Sequence, residues 1–163
     1  MDFPAFMAWL EESFLGHAMR ETGVWTYAVV NLFHIVGVAI LFGSILILDL
    51  RLLGAWKHIP LSALSKPAVT MAGTGFVIAA ITGSGLLATT ATEYVGNPFL
   101  IIKFVAIPLG LLNVLLVHYS ESWKAHRIRS LSKAEEKRLA RVGAVSLACW
   151  FTAVSAGRMI GYW

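Results

Sequence analysis

Three side chains that could do chemistry lie in otherwise apolar stretches of this sequence. His34 falls within VVNLFHIVGVAILFG, Lys103 within FLIIKFVAI, and Arg158 within AGRMIGYW at the carboxyl terminus. Ionisable side chains are costly inside a membrane and are retained there for a function. Histidine is the commonest axial ligand of haem iron, and two cations suit the two propionates of a haem. The three residues therefore predict a binding site for haem b.

The composition predicts that these residues lie within a lipid bilayer. Hydrophobic residues make up 58% of the 163 positions and charged residues only 13%, and the mean hydropathy is +0.73. Soluble domains do not have this composition, and a membrane-spanning helix needs roughly 20 apolar residues. We therefore predict an all-α fold, an integral membrane four-helix bundle in a single domain over residues 1–163. The four predicted spans are residues 24–48, 68–89, 98–117 and 142–162.

The amino-terminal segment, residues 1–22, has the pattern of an amphipathic helix at the membrane interface. Asp2 is a suitable N-cap and Pro4 is tolerated in a first helical turn. The apolar residues that follow recur at helical spacing. The segment has acids but no early lysine or arginine, so a cleaved signal peptide is not expected.

The basic residues predict the orientation in the membrane. They concentrate in the loop 120–141 and beside the first connection, so both termini are expected on the outer, periplasmic side of a bacterial inner membrane. Ser132 and Glu135 have the spacing of a capping box, and anionic lipid is the expected contact of this loop. The net charge of +4 then reflects topology, and nucleic acid is not an expected partner.

This orientation assigns a depth to each polar residue. At 1.5 Å per residue, His34 lies about 13 Å below the outer surface, and Lys103 and Arg158 about 8 Å below it. His118 lies about 30 Å deep, so it is too far from His34 to share one iron. A second, inner metal site would use His118 together with Met71.

Two residues of suitable depth, His17 and Met159, are candidates for the sixth ligand of an outer haem.

Structural explanations of these polar and small residues also stay open. His34 could hydrogen-bond a backbone carbonyl or Asn31, and both cations could extend to outer headgroups. The small residues of GTGFVIAAITGSG, residues 73–85, suit either a flat macrocycle or ordinary helix packing, within the chain or against a second copy of it.

Several of these motifs resemble the HemJ family of membrane protoporphyrinogen oxidases. The pattern FHxxG at Phe33 to Gly37, the Arg51-Leu52 pair, the segment IKFVA at residues 102–106 and the later pair His118-Tyr119 are similar to that family's first three spans. CopD-like copper-resistance proteins share the broad helix pattern. The resemblance implies that His34 is a haem-linked histidine and that Lys103 is a functional cation.

We expect a b-type cytochrome that carries electrons between haem and either a quinone or a periplasmic redox protein. Three alternatives remain at this stage. One is an enzyme of tetrapyrrole metabolism that uses the same cations to hold substrate carboxylates. Another is a copper-handling protein with ligands His34, His17 and Met159. The third is a structural subunit of a membrane complex.

Overall fold

The structure is a computed structural model that describes residues 2–163, and within these residues it is helical without a β-strand. Two 3₁₀ turns, Ala91–Tyr94 and Ile160–Tyr162, accompany the α-helices. The α-helices are α1 (Phe3–Glu11), α2 (Phe14–Glu21), α3 (Val24–Leu53), α4 (Leu61–Thr89), α5 (Pro98–Tyr119), α6 (Glu121–Ala125) and α7 (Lys133–Met159).

Four of these helices, α3, α4, α5 and α7, are long and apolar enough to cross a membrane, in segments of 22 to 30 residues. Large apolar side chains cover their outer faces, as Ile81, Leu116 and Phe151 illustrate with exposed fractions above 60%. Such a surface is suited to lipid rather than water. The predicted all-α, multi-pass membrane fold is confirmed.

All four long helices extend beyond one end of their predicted spans: α4 begins at Leu61, α5 ends at Tyr119, and local signals set the new ends of α3 and α7. α3 continues to Leu53 and stops at Gly54, whose left-handed φ of 108° is typical of a helix C-cap. α7 begins at Lys133, where Ser132 and Glu135 form the predicted capping box. The first turns of α7 are therefore polar helix, and the basic loop is shorter than predicted.

Helix α3 occupies a central position, packed against α4 on one side and α7 on another, while α5 packs against α7. The α3 and α4 backbones approach closely at two glycines. A Cβ atom on Gly37 would lie 2.8 Å from the backbone nitrogen of Ala79, and one on Gly75 would lie 2.7 Å from the carbonyl oxygen of Gly37. This part of the glycine-rich stretch therefore serves helix packing.

The segment expected as one interfacial helix is two helices. Asp2 caps α1 by accepting from the Ala5 N–H at 3.0 Å, and Ser13 ends the first helix and caps the second. Met7 is fully buried against the turn after α4, and Met19 is 6% exposed. The break at residues 12–13 lets both helices fold over the end of the bundle where α4 ends and α5 begins.

A carboxylate fastens α1 to the turn that it covers. Glu11 accepts hydrogen bonds from the backbone N–H and the hydroxyl of Thr92, both at 2.7 Å. Because these bonds favour the charged carboxylate, chiefly the one from the backbone, the pKa of Glu11 lies below its usual 4.5. A depressed carboxyl pKa stabilises the fold above the unfolded value, and this stabilisation is lost as pH falls through the folded value.

We therefore expect Glu11→Gln to lower the thermal midpoint at pH 7, and the difference from the unchanged protein to shrink as the pH falls below the usual carboxyl range and Glu11 becomes protonated. Circular dichroism melts at pH 7 and at acid pH measure both effects. Glu12→Gln is the control, because Glu12 is exposed and makes only peripheral ion pairs with His17 and Arg20. An equal loss in both variants would contradict the assigned role of Glu11.

Candidate functional site

His34 is held by α4 through one nitrogen of its ring. Its Nδ1 lies 3.0 Å from the carbonyl oxygen of Ala79 and 3.2 Å from Oγ1 of Thr82. A carbonyl oxygen can only accept, so Nδ1 carries the proton and donates, which leaves the lone pair on Nε2. Histidines that bind metals through Nε2 are usually oriented by such a bond at Nδ1. The imidazole is therefore arranged as a ligand would be.

The residues of α4 around the imidazole are suited to this arrangement. Thr82 donates its hydroxyl proton to the Ile78 carbonyl at 2.6 Å, which leaves its oxygen free to accept from His34. Gly83 lies directly beneath the ring, since a Cβ atom there would be 2.8 Å from Cε1 and 3.2 Å from Nδ1. Gly83 thus provides the space that the ring occupies, a role distinct from the packing role of Gly75.

Lys103 reaches the same region from α5. It is close enough to His34 for its charge to act on the imidazole, and its Nζ lies 3.6 Å from the position of a Cβ atom on Gly157. Within residues 2–163 no carboxylate lies within ion-pairing distance of Lys103. A partly buried cation without an acidic partner is suited to an anionic group of a ligand.

Arg158 points away from this pair. Its side chain is exposed, donates a hydrogen bond to the Tyr162 hydroxyl and lies 4.5 Å above the centre of that ring. The preceding residue, Gly157, adjoins Lys103, so Arg158 is at the level of the site while its guanidinium occupies the outer rim. The structure brings His34 and Lys103 together and leaves Arg158 beside them.

The other two predicted histidines lie elsewhere. His118 bonds through Nδ1 to the Val114 carbonyl of its own helix and packs 5.3 Å from the Trp123 ring at the opposite end of α5. His17 is exposed on α2, between Glu12 at 3.3 Å and Glu21 at 3.4 Å. In residues 2–163 no group of three or more His, Cys, Asp or Glu side chains is placed to hold a metal ion.

Asp49 is a candidate that the sequence reasoning passed over. It is only 4% exposed, its Oδ2 has no hydrogen-bond partner among the described residues, and it faces Ser146 across the contact of α3 with α7. A buried acid within a membrane helix is usually functional. The sequence does indicate this candidate, because Asp49 is the one acid in the mostly apolar run ILILDLRLL.

The fold and the placement of these residues define a multi-pass helical membrane protein with an oriented imidazole and an unpaired lysine among its helices. The chain belongs to the family of unknown function DUF6644, which matches residues 6–163. No curated protein and no solved structure matches the chain.

Proposed function

We propose that this protein is a membrane b-type haem protein in which Nε2 of His34 would bind the haem iron. The observation that carries the proposal is the bond from Nδ1 to the Ala79 carbonyl, which presents the other ring nitrogen unprotonated. Gly83 beneath the ring leaves room for the imidazole in this one orientation, and a ligand must be held in one orientation.

Residues around His34 fit the remaining parts of a haem. The Lys103 ammonium has no protein anion and would hold one propionate. Arg158, exposed at the rim, would contact a lipid headgroup in this arrangement, and it could hold the second propionate only after its side chain leaves Tyr162. When bound, haem supplies one-electron transfer. The protein would set its potential through burial and the nearby positive charge of Lys103.

The location of the site suggests its redox partners. Met7 of α1 and Ile160 near the carboxyl terminus share one apolar cluster, so both termini lie at the same end of the bundle. The excess of lysine and arginine at the other end supports a bacterial inner-membrane protein with periplasmic termini. A haem at His34 would then lie in the outer half of the membrane, within reach of a quinone or a periplasmic redox protein. The resemblance to HemJ proteins stays a prediction.

A difference spectrum tests the proposal. Protein expressed with sufficient haem should show the reduced-minus-oxidised bands of a b-type cytochrome, and His34→Ala should lower haem content per protein at least tenfold. The matched control is His58→Ala, because His58 is an exposed loop residue. Lys103→Met should weaken haem binding while leaving the band positions of the bound fraction unchanged. Pure, folded protein that stays colourless after haem is added would refute the proposal.

A further inference from the structure

A basic cleft opens at the end of the bundle opposite the termini, far from His34. Its volume is about 630 Å³, which is in the usual range of ligand sites. The end of α3, the start of α4, the connection after α6 and the first turns of α7 form its walls. Six basic side chains line it: Arg51, Lys57, Arg127, Arg129, Lys133 and Lys137.

The positive charge of this cleft is largely uncompensated. Arg129 forms a two-pronged ion pair with Glu135, at 2.8 and 2.9 Å. Glu136 is the one acid in the lining. Even when both glutamates are counted against the six cations, four positive charges remain. Such a concentration of like charge is unfavourable by itself and favours a bound anion.

Backbone and buried side chains hold the walls in place. The Arg51 Nε donates to the Ile59 carbonyl at 2.8 Å, which ties the loop after α3 to its helix. His126 donates from Nδ1 to the Trp123 carbonyl and accepts at Nε2 from Ser65, 2.9 Å away on α4. Burial lowers the pKa of His126 and so favours its neutral form, and these two hydrogen bonds fasten the α6 segment to α4.

The lining is also partly apolar, and this favours an amphiphile over a small soluble anion. Leu52, Leu53 and Leu61 face the cleft from α3 and α4, and Ile128 stands 86% exposed at its rim. These leucines belong to α3 and α4, two of the four helices long and apolar enough to cross a membrane, whereas five of the six cations lie outside these two helices. The cations would contact a headgroup phosphate, and the apolar residues would contact the upper part of an acyl chain.

We propose that this cleft binds the phosphate headgroup of an anionic phospholipid, with Lys57, Lys133 and Lys137 as its principal cationic contacts. These three have no acid within ion-pairing distance in residues 2–163. Arg51 and Arg129, already fixed by hydrogen bonds, shape the walls. The site does not depend on haem binding.

The test compares two double variants of the same helix with the same change of charge. Lys133→Gln with Lys137→Gln alters the cleft, whereas Arg138→Gln with Arg141→Gln removes two exposed cations of α7 that do not line it. Purified protein in neutral detergent is titrated with phosphatidylglycerol, with phosphatidylcholine and with glycerol 3-phosphate. Native mass spectrometry and the thermal midpoint report binding.

We expect phosphatidylglycerol to bind the unchanged protein and the Arg138/Arg141 variant alike, and the Lys133/Lys137 variant at least tenfold more weakly. All these substitutions are on the surface, and circular dichroism confirms folding. Equal weakening in both variants would show a general charge effect and overturn the site. Equal binding of phosphatidylcholine would overturn the anionic selectivity. Glycerol 3-phosphate binding as tightly as the lipid would assign the cleft to a soluble phosphate and overturn the lipid assignment.

Discussion

Replacing Gly75 with alanine should destabilise the protein markedly, while the same replacement at Gly73, two residues earlier, should stabilise it slightly. A Cβ atom on Gly75 would lie 2.7 Å from the Gly37 carbonyl oxygen and closer still to the backbone nitrogen of Leu41. Backbone atoms of a packed helix cannot yield as a side chain can, so α3 and α4 would have to separate. Overpacking of this kind costs about 1 to 3 kcal/mol, occasionally more.

At Gly73 a Cβ atom would meet nothing within 4 Å. The intrinsic helix preference for alanine over glycine, about 1 kcal/mol, then acts unopposed. Thermal midpoints and monodisperse yield in one detergent measure the contrast between the two variants. If Gly75→Ala melts at the same temperature as Gly73→Ala, the close approach of α3 and α4 is wrong.

Gly83→Ala should leave the helices packed but remove haem binding. The three atoms nearest to the new methyl group would all belong to the His34 ring, the closest being Cε1 at 2.8 Å. Because this is the end of a side chain, the ring can rotate away at small cost in stability. Rotation would break its Nδ1 bond to Ala79 and misdirect Nε2. A ligand displaced by 1 Å is enough to lose most of a site's function, so we expect haem content to fall at least tenfold.

Measuring haem content and the thermal midpoint together separates a misdirected His34 ring from misfolding. Gly43→Ala is the control, since a Cβ atom there would meet nothing within 4 Å. In Gly43→Ala the haem content per protein should match the unchanged protein and the thermal midpoint should rise slightly, as in Gly73→Ala, whereas in Gly83→Ala the midpoint should be nearly preserved and the haem content lost. Full haem content in Gly83→Ala would show that the ring does not serve as the ligand.

Local patterns were sufficient to predict the helices and several of their ends. The Asp2 cap and the capping box at Ser132 were predictable because each depends on residues three apart or fewer along the chain. The division of the amino-terminal segment into two helices was not predicted. Ser13 caps α2 because the chain bends there, and this bend lets Met7 of α1 and Met19 of α2 both be buried.

Residue counts likewise predict some features of the candidate site and leave others undetermined. Depth along the helix axes follows from residue counts, which predict that His118 lies far from His34 and that Lys103 lies at a similar depth to His34. In the structure His118 lies at the end of α5 opposite Lys103. Rotation about each helix axis does not follow from such counts. The outward direction of Arg158 therefore emerged only from its contact with Tyr162. The buried position of Asp49 against α7 emerged in the same way.

By itself the sequence determined that this is a four-span helical membrane protein with an imidazole and a lysine at similar depth, because hydrophobicity and helical rise are properties of the local chain. The tertiary structure alone decided which face each helix turns inward. It thereby decided that Ala79 and Gly83 orient His34, and that distant lysines and arginines converge on one cleft. Helix rotation and pairing depend on side-chain packing between segments far apart in the chain, which no local pattern records.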